Sequence, residues 1–485
     1  MPLFWILDNS KKAFLYGWLF GMGLAAGQMW WIVTQNYPLR PFIRFLLIAG
    51  VVLLVAFLGL FQGLFASVTK RLGLWSAPLA LPAVEMLREL TDIAFPWELL
   101  GYSVTPWPLF TQTASLWGVY GLGSVIMLVN VSLYKLIKEW ADRKLRLRWS
   151  LALAGTVLFV TGFGAARLLS VQRNSRELKV ALLQPNIPTV MKGSLAERDS
   201  LVNAMLDQTR DAEKGKPDLI LYPETATLAD LTRPSRYTDG YLRLADSIDI
   251  PVATGIIYWV QEATRWRFAN SATVIDKDGR IGKIYIKIRL APFGETIPFE
   301  NVLPFLAKID VQGGHHYRGK EYVVYEDAPV PLSFLICYES IFPLLTRNFV
   351  HKGARLLCNV TNDVWFGQAE GPRQHAEMAV LRSVENGVPL IRAANNGISM
   401  IVDPYGRVLK QSPLMVKTIV EGKVPLAVGP TIYTVFGFLF PYIAAAAVIS
   451  LLVVKRVRKG GRTRQQAARE QDSPRQWSQR KRRSS

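Results

Sequence analysis

Six stretches of this chain are each about as long as a lipid bilayer is thick, at 13–33, 42–67, 74–90, 115–137, 150–171 and 432–454. A spanning α-helix needs about 20 mostly apolar residues, and so many such runs would overfill the core of a single soluble domain. The chain is therefore expected to fold as a membrane α-helical bundle over residues 1–171 with about five transmembrane helices, followed by a large non-membrane domain over 172–430, a last transmembrane helix at 431–454 and a tail at 455–485.

Charge orients these spans. Lys11 and Lys12, Lys70 and Arg71, the run 135–148 and everything from Lys455 onward are rich in Lys and Arg, whereas 91–113 contains neither. Loops rich in Lys and Arg stay in the cytoplasm. Alternating six spans then puts both termini inside and 172–430 on the extracytoplasmic side of the cytoplasmic membrane. The first span reads as an uncleaved helix and not as a signal peptide, because Tyr16-Gly17-Trp18 and Met29-Trp30-Trp31 lack the small residues of a cleavage site.

The net charge of +20 does not signal nucleic acid. The tail 455–485 holds twelve Lys or Arg against Glu470 and Asp472, so +10 of the excess lies there. No binding fold with interleaved aromatics accompanies it, and its Gln, Ser and Arg content is that of a disordered segment beside anionic headgroups.

The outer domain alternates strand-like and helix-like segments. Strands are expected at 179–184, 219–222, 252–257, 272–276, 281–287, 332–337, 356–361, 390–394 and 399–402, and helices at 195–214, 237–247, 344–352 and 374–386. That is an α/β pattern. Three of the strands stop at reactive groups: Glu224 after LILYP, Lys287 after IYI, and Cys337 after SFLI. A free cysteine closing an apolar run is by itself ordinary core. Its coincidence with the other two strand ends suggests one assembled site.

In this order and with these flanks, Glu, Lys and Cys resemble the nitrilase, or carbon-nitrogen hydrolase, superfamily over about 178–424. The resemblance is closer to the bacterial apolipoprotein N-acyltransferase family. It is carried by Tyr222-Pro223-Glu224, Leu290-Ala291-Pro292-Phe293-Gly294-Glu295, Cys337-Tyr338-Glu339, Asn362-Asp363-Val364-Trp365-Phe366-Gly367 and Asn396-Gly397-Ile398-Ser399. The resemblance implies a nitrilase-like αββα sandwich of two sheets. It also implies a catalytic triad of Glu224 as base, Lys287 as oxyanion donor and Cys337 as nucleophile, supported by Glu295, Tyr338 and Glu339. Trp365 and Phe366 are expected in a loop beside the pocket that meets lipid or substrate, with ordinary core as the alternative.

These roles fit the chemistry of acyl transfer. A thiol must lose its proton to be a nucleophile, and a positive donor should await the oxyanion. The implied reaction takes an acyl chain from a membrane phospholipid onto Cys337 and passes it to the N-terminal amine of a diacylglyceryl-cysteine lipoprotein. No metal or other cofactor is required, and a monomer is expected. The alternative reading is a membrane-tethered amidase using the same triad on a small amide. A non-enzymatic scaffold or transporter is the third, although no internal repeat of the transporter kind is visible.

Several positions depart from the family pattern. Gly193 stands where a tryptophan is usual, Arg289 where a histidine is common and Asn396 where a threonine is, and against the family pattern the chain is expected to lack an N-terminal hydrophobic hairpin. Other polar residues carry plainer expectations. Glu85, Arg88 and Glu89 are expected as an ion-paired group at a span's outer end, Cys358 as core and His375 as a cap or packing residue at a helix start. His315 and His316 are neighbours on opposite strand faces, unsuited to joint metal ligation. Gly313, Gly314 and Gly319 are expected in a loop.

Overall fold

The computed structural model describes residues 1–34, 41–90, 93–170, 176–187, 195–262, 265–300, 315–367, 370–426 and 429–471. Helices α1 (Pro2–Asn9), α2 (Ala13–Met29), α3 (Pro41–Leu72), α4 (Ala77–Glu85), α5 (Pro108–Thr111), α6 (Ala114–Lys138) and α7 (Arg143–Leu169) form the first region. Among the described residues, four helical segments are long and apolar enough to cross a membrane: Arg44–Leu72, Ala114–Lys138, Arg143–Leu169 and Gly437–Gly460. They match four of the six expected spans.

The other two differ for visible reasons. Helix α2 is only 17 residues long and buries Ala13, Gly17, Gly21, Ala25 and Met29, one residue in every four. This stripe of small residues lets α3 approach so closely that a Cβ on Gly17 would lie 2.4 Å from that of Ala66. The stretch 74–90 is not one α-helix: 3₁₀ turns at Leu74–Ser76 and Met86–Glu89 bracket α4. Pro82 within α4 has no N–H to give the preceding turn, which limits regular helix there. Near the C-terminal end of this stretch, Glu85 accepts from the Leu100 amide at 2.9 Å and Glu89 accepts from the Tyr120 hydroxyl.

At the opposite end of the bundle the basic residues gather. Lys138 meets Asp8 at 2.6 Å, Tyr134 also donates to Asp8, Lys70 donates to the Leu7 carbonyl and Lys455 to that of Arg71.

The second region holds two sheets. Strands β1 (Glu177–Gln184), β2 (Leu219–Leu221), β3 (Val252–Glu262), β4 (Arg265–Ile275), β5 (Tyr285–Ile286), β6 (Leu332–Ile336), β7 (Leu356–Thr361), β8 (Leu390–Ala394), β9 (Met400–Val402), β10 (Val408–Gln411) and β11 (Thr418–Pro425) alternate with α8 (Leu195–Glu213), α9 (Arg236–Ile248), α10 (Pro343–His351) and α11 (Gly371–Asn386). One sheet has the order β11-β1-β2-β3-β4-β5 and the other β10-β9-β8-β7-β6. Because side chains alternate along a strand, Val180 and Leu182 of β1 face the second sheet in a core shared with Phe334 and Ile336, while Ala181 and Leu183 lie under α8 and α9 with Met205 and Tyr241. Helices α10 and α11 add Phe349, Met378 and Ala379 to the core from the other side.

Chain entry into the last helix is broken. Helix α12 (Ile432–Val435) and a 3₁₀ turn at Gly437–Leu439 precede α13 (Phe440–Gln471). The tail expected to be disordered from 455 is instead helical as far as Gln471, in keeping with its Arg, Gln and Ala content. The two regions meet along α11: Glu385 accepts from the Val119 amide at 2.8 Å, and Leu381 and Val384 pack with Tyr120 and Leu122.

Candidate active site

Two of the three strand ends, those at Glu224 and Cys337, leave their sheets by a backbone turn that side chains seldom adopt. Cys337 has φ 49° at the point where β6 gives way to a 3₁₀ turn, Cys337–Ile341, and Thr225, just past Glu224, has φ 50°. A left-handed non-glycine residue costs about 1–2 kcal/mol and persists where its surroundings over-determine it. Beneath Glu224, β3 passes so near that a Cβ on Gly255 would lie 2.7 Å from the Glu224 Cα, so only glycine fits.

Lys287, 1% exposed, sits between two carboxylates. Its Nζ is 2.8 Å from Glu295 Oε1 and 3.8 Å from Glu224 Oε1. Asn270 of β4 donates to both, at 2.6 Å to Glu224 and 2.8 Å to Glu295. The remaining oxygens are met by backbone: Asn362 N–H donates to Glu224 Oε2 and Ala291 N–H to Glu295 Oε2, each at 2.8 Å.

The two carboxylates are tuned apart. Burial would raise Glu295, but Lys287, His316 and the Ala291 amide outweigh it and hold its carboxyl well below the usual range. Burial pushes Glu224 up, and the more distant Lys287 only partly offsets this. Burial also works against the Lys287 charge, yet Glu295 and Glu224 together keep its pKa above that of a free lysine. For the half-buried Cys337, burial and then the Glu224 carboxylate push the thiol up, while Lys287 and a hydrogen bond with Thr361 act the other way. The resting site thus pairs a fixed ammonium–carboxylate couple with a thiol and a carboxylate that both tend to hold a proton.

Glu339 ties the Lys287 and Cys337 segments together. Its Oε1 accepts from Tyr285 Oη at 2.7 Å and from the Ile288 and Arg289 amides at 2.7 and 3.0 Å, and its Oε2 accepts from Ile336 N–H at 2.8 Å. Tyr338 points the other way and donates to the Ala94 carbonyl at 2.6 Å. Phe366 packs edge-on against Trp31, with centroids 5.2 Å apart, and lies within 5.6 Å of Trp97 and 5.4 Å of His375. The side chain of Trp365, together with Gly193, Gly313 and Gly314, lies outside the described residues.

The structure brings Glu224, Lys287, Glu295 and Cys337 together, with Tyr338 and Glu339 bracing the turn Cys337–Ile341. Arg289 gives its amide to Glu339 and lays its guanidinium over Phe342, 5.1 Å from the ring centroid. Asn396 turns to the Met415 sulfur at 3.2 Å, and Cys358 is fully buried in β7. His315 meets Glu300 at 3.2 Å while His316 packs on Phe268, so the two rings have different partners. Sequence reasoning missed Asn270, an amide inside β4 between Ala269 and Ser271, where nothing in the local pattern sets it apart from its polar neighbour. It also underrated His375, which is not mere packing: it contacts the Cys337 carbonyl and Asp363.

Comparison with known proteins agrees with this architecture. A family profile described as carbon-nitrogen hydrolase matches residues 179–431, and one described as apolipoprotein N-acyltransferase N-terminal domain matches residues 1–132. The chain is similar to a protein named apolipoprotein N-acyltransferase from Geobacter metallireducens, 32% identical over 94% of this chain and 91% of that one. It is also similar to the protein of the same name from Allorhizobium ampelinum, 33% identical over 88% and 85%. Among solved structures, a Nesterenkonia amidase from the nitrilase superfamily aligns with TM-score 0.40 and 18% identity, covering 53% of this chain and 93% of that one.

Proposed function

The chain belongs to the apolipoprotein N-acyltransferase family, and from that premise we propose that it moves a fatty acyl chain from a phospholipid to the N-terminal amine of a diacylglyceryl-cysteine lipoprotein through a thioester on Cys337. The observation that carries this reading is the buried cluster of Lys287, Glu224 and Glu295 within the electrostatic reach of Cys337.

In the first half-reaction Glu224 takes the thiol proton as sulfur attacks the ester carbonyl of the donor. The oxyanion that forms meets the Lys287 ammonium, whose charge Glu295 keeps in place. Collapse of this intermediate breaks the C–O bond, and Glu224 returns its proton to the departing lysophospholipid alkoxide. In the second half-reaction the lipoprotein amine attacks the thioester, Glu224 takes the amine proton, and the same proton restores the Cys337 thiol as the amide forms. Water competes for the thioester, so a shielded site favours the amine. Trp31, Trp97, Phe95 and Phe366, drawn from both regions, form an aromatic wall beside the nucleophile turn.

The membrane arrangement is supported by helix α6. Near its start Val119 bonds the catalytic helix α11, and at its end Lys138 meets Asp8 in the basic group. At 1.5 Å per residue the two points are about 30 Å apart, the thickness of a bilayer core. With the basic end cytoplasmic, the catalytic region lies on the extracytoplasmic face. The amidase alternative has no counterpart for the match over residues 1–132.

The test is mass spectrometry of the purified protein after incubation with labelled phospholipid. A thioester-bound acyl chain on Cys337, absent from Cys337→Ala, is expected. Equal labelling of the two proteins sinks the proposal.

A further inference from the structure

Behind the nucleophile, away from Glu224 and Lys287, lies a second buried polar group. His375, in the first turn of α11, is fully buried, and its Nε2 lies 3.1 Å from the carbonyl oxygen of Cys337. Its Nδ1 is 3.0 Å from Asp363 Oδ1 and 3.1 Å from Arg392 Nη2, and Arg392 also donates to Asp363 Oδ2 at 2.8 Å. Oxygens that only accept face both ring nitrogens, the Cys337 carbonyl at Nε2 and the Asp363 carboxylate at Nδ1, and Ser340 Oγ also lies 3.1 Å from Nε2; with the hydrogen on Nε2 the ring donates to the Cys337 carbonyl and the Arg392 N–H serves Nδ1. Ser340 Oγ donates to the same Cys337 carbonyl at 3.0 Å.

That carbonyl is one end of a rigid plane. The C=O of Cys337 and the N–H of Tyr338 belong to one trans peptide group, so fixing the direction of the oxygen fixes the N–H at the opposite end. The opening N–H groups of a helical turn have no acceptor within it, and Tyr338 is the second residue of the turn Cys337–Ile341. We infer that His375 is a positioning residue for the oxyanion: by holding the Cys337 carbonyl it aims the Tyr338 N–H at the oxygen that gains charge when sulfur attacks. The left-handed φ at Cys337 persists only where its surroundings hold it, and the His375 contact acts directly on the peptide that follows, beside the Ser340 bond to the same carbonyl.

The inference rests on Cys337 being the acyl-accepting nucleophile, and two variants separate it from a purely structural role for His375. His375→Asn keeps a polar atom at the position of Nδ1, facing Asp363 and Arg392, but falls short of the Cys337 carbonyl. His375→Gln places an amide N–H near the position of Nε2. Two rates are read on the full-length protein in detergent: acylation of Cys337 by phospholipid, which builds an oxyanion, and alkylation of Cys337 by iodoacetamide, which does not.

The expected result is a fall in acylation of about tenfold or more in His375→Asn, substantial recovery in His375→Gln, and alkylation unchanged in both, since a lost oxyanion donor costs on the order of 10²–10³ in rate. Acylation at the wild-type rate in the Asn variant, equal impairment of the two variants, or alkylation falling in step with acylation overturns it. Should neither variant fold, Ser340→Ala removes the second donor to the same carbonyl. A several-fold loss of acylation with unchanged alkylation supports the inference, and unchanged acylation overturns it. A wild-type protein that forms no thioester fails the functional reading itself, and the inference falls with it.

Discussion

Tyr338, the residue after Cys337, donates its hydroxyl hydrogen to the carbonyl of Ala94 in the loop that follows the third apolar stretch, at 2.6 Å. Tyr102 of the same loop returns the gesture, donating to the Ile341 carbonyl at the end of the turn Cys337–Ile341 at 3.0 Å. Both ends of Cys337–Ile341 are therefore tied to the membrane-associated region, and the geometry of the thiol depends on how that region is seated.

Tyr338→Phe removes one tie without removing the ring, which keeps its contacts with Phe95 and Phe342. A buried carbonyl left without its donor costs about 1–3 kcal/mol. A lower melting temperature in detergent is expected, together with a fall in acylation of up to about tenfold, the equivalent of 1.4 kcal/mol on the barrier. Unchanged melting and unchanged acylation would show that the tie is idle.

Acylation should rise with pH through a midpoint set by Glu224. Burial holds this carboxyl above the ordinary range, so it must ionise at a higher pH than a free glutamate before it can accept the thiol proton. Transfer to the acceptor adds a second requirement, since an α-amine with a pKa of about 8 must be neutral to attack. Single-turnover acylation and deacylation measured separately from pH 5 to 9 should give two rising profiles, with the deacylation limb the more alkaline. A flat acylation profile down to the range of a free carboxylate removes Glu224 from the role of base.

Much of this site was legible because strands β2 and β6 are apolar runs that stop abruptly at Glu224 and Cys337, and burial leaves such runs little freedom to be anything else. Strands β10 and β11 escaped notice for the opposite reason. Val408–Gln411 is exposed along its whole length, and in Thr418–Pro425 the core-facing side is reduced to Val420 and Val424 on either side of Gly422, with Glu421 and Lys423 between them, so the apolar signal is weak. Asn270, Gly255 and the His375 cluster were hidden because their roles arise from which strands lie side by side, and the pairing of β3 with β4 and of β7 with β8 is not written in any one segment. The broken third span could have been anticipated from Pro78 and Pro82.

Acid stability reports on Glu295. Its folded pKa lies below the unfolded value of about 4.3. The folded protein therefore binds fewer protons at this group between those two values, and the group's contribution is complete above about pH 4.3 and lost as pH falls through the folded pKa. Melting temperature followed from pH 6 downward should drop less steeply in Glu295→Gln than in the wild type. An identical acid limb in the two proteins contradicts the assignment of Glu295 as the lasting partner of Lys287.

Lys287→Met separates the charge from the volume of this side chain. Removing one member of a buried pair costs about 3–5 kcal/mol, because the remaining charge has lost its partner. Here the loss is moderated by Asn270 and the Ala291 amide, which still donate to Glu295. The variant should fold with a lowered melting temperature, and acyl-enzyme should form at least about a hundredfold more slowly through loss of the oxyanion donor. With Lys287 gone, Glu224 loses the charge that favours its ionised form, so whatever acylation remains should shift its pH midpoint upward. Acyl-enzyme accumulating at the wild-type rate in this variant would mean that the ammonium does not face the oxyanion, and that Lys287 serves only to hold the two carboxylates together.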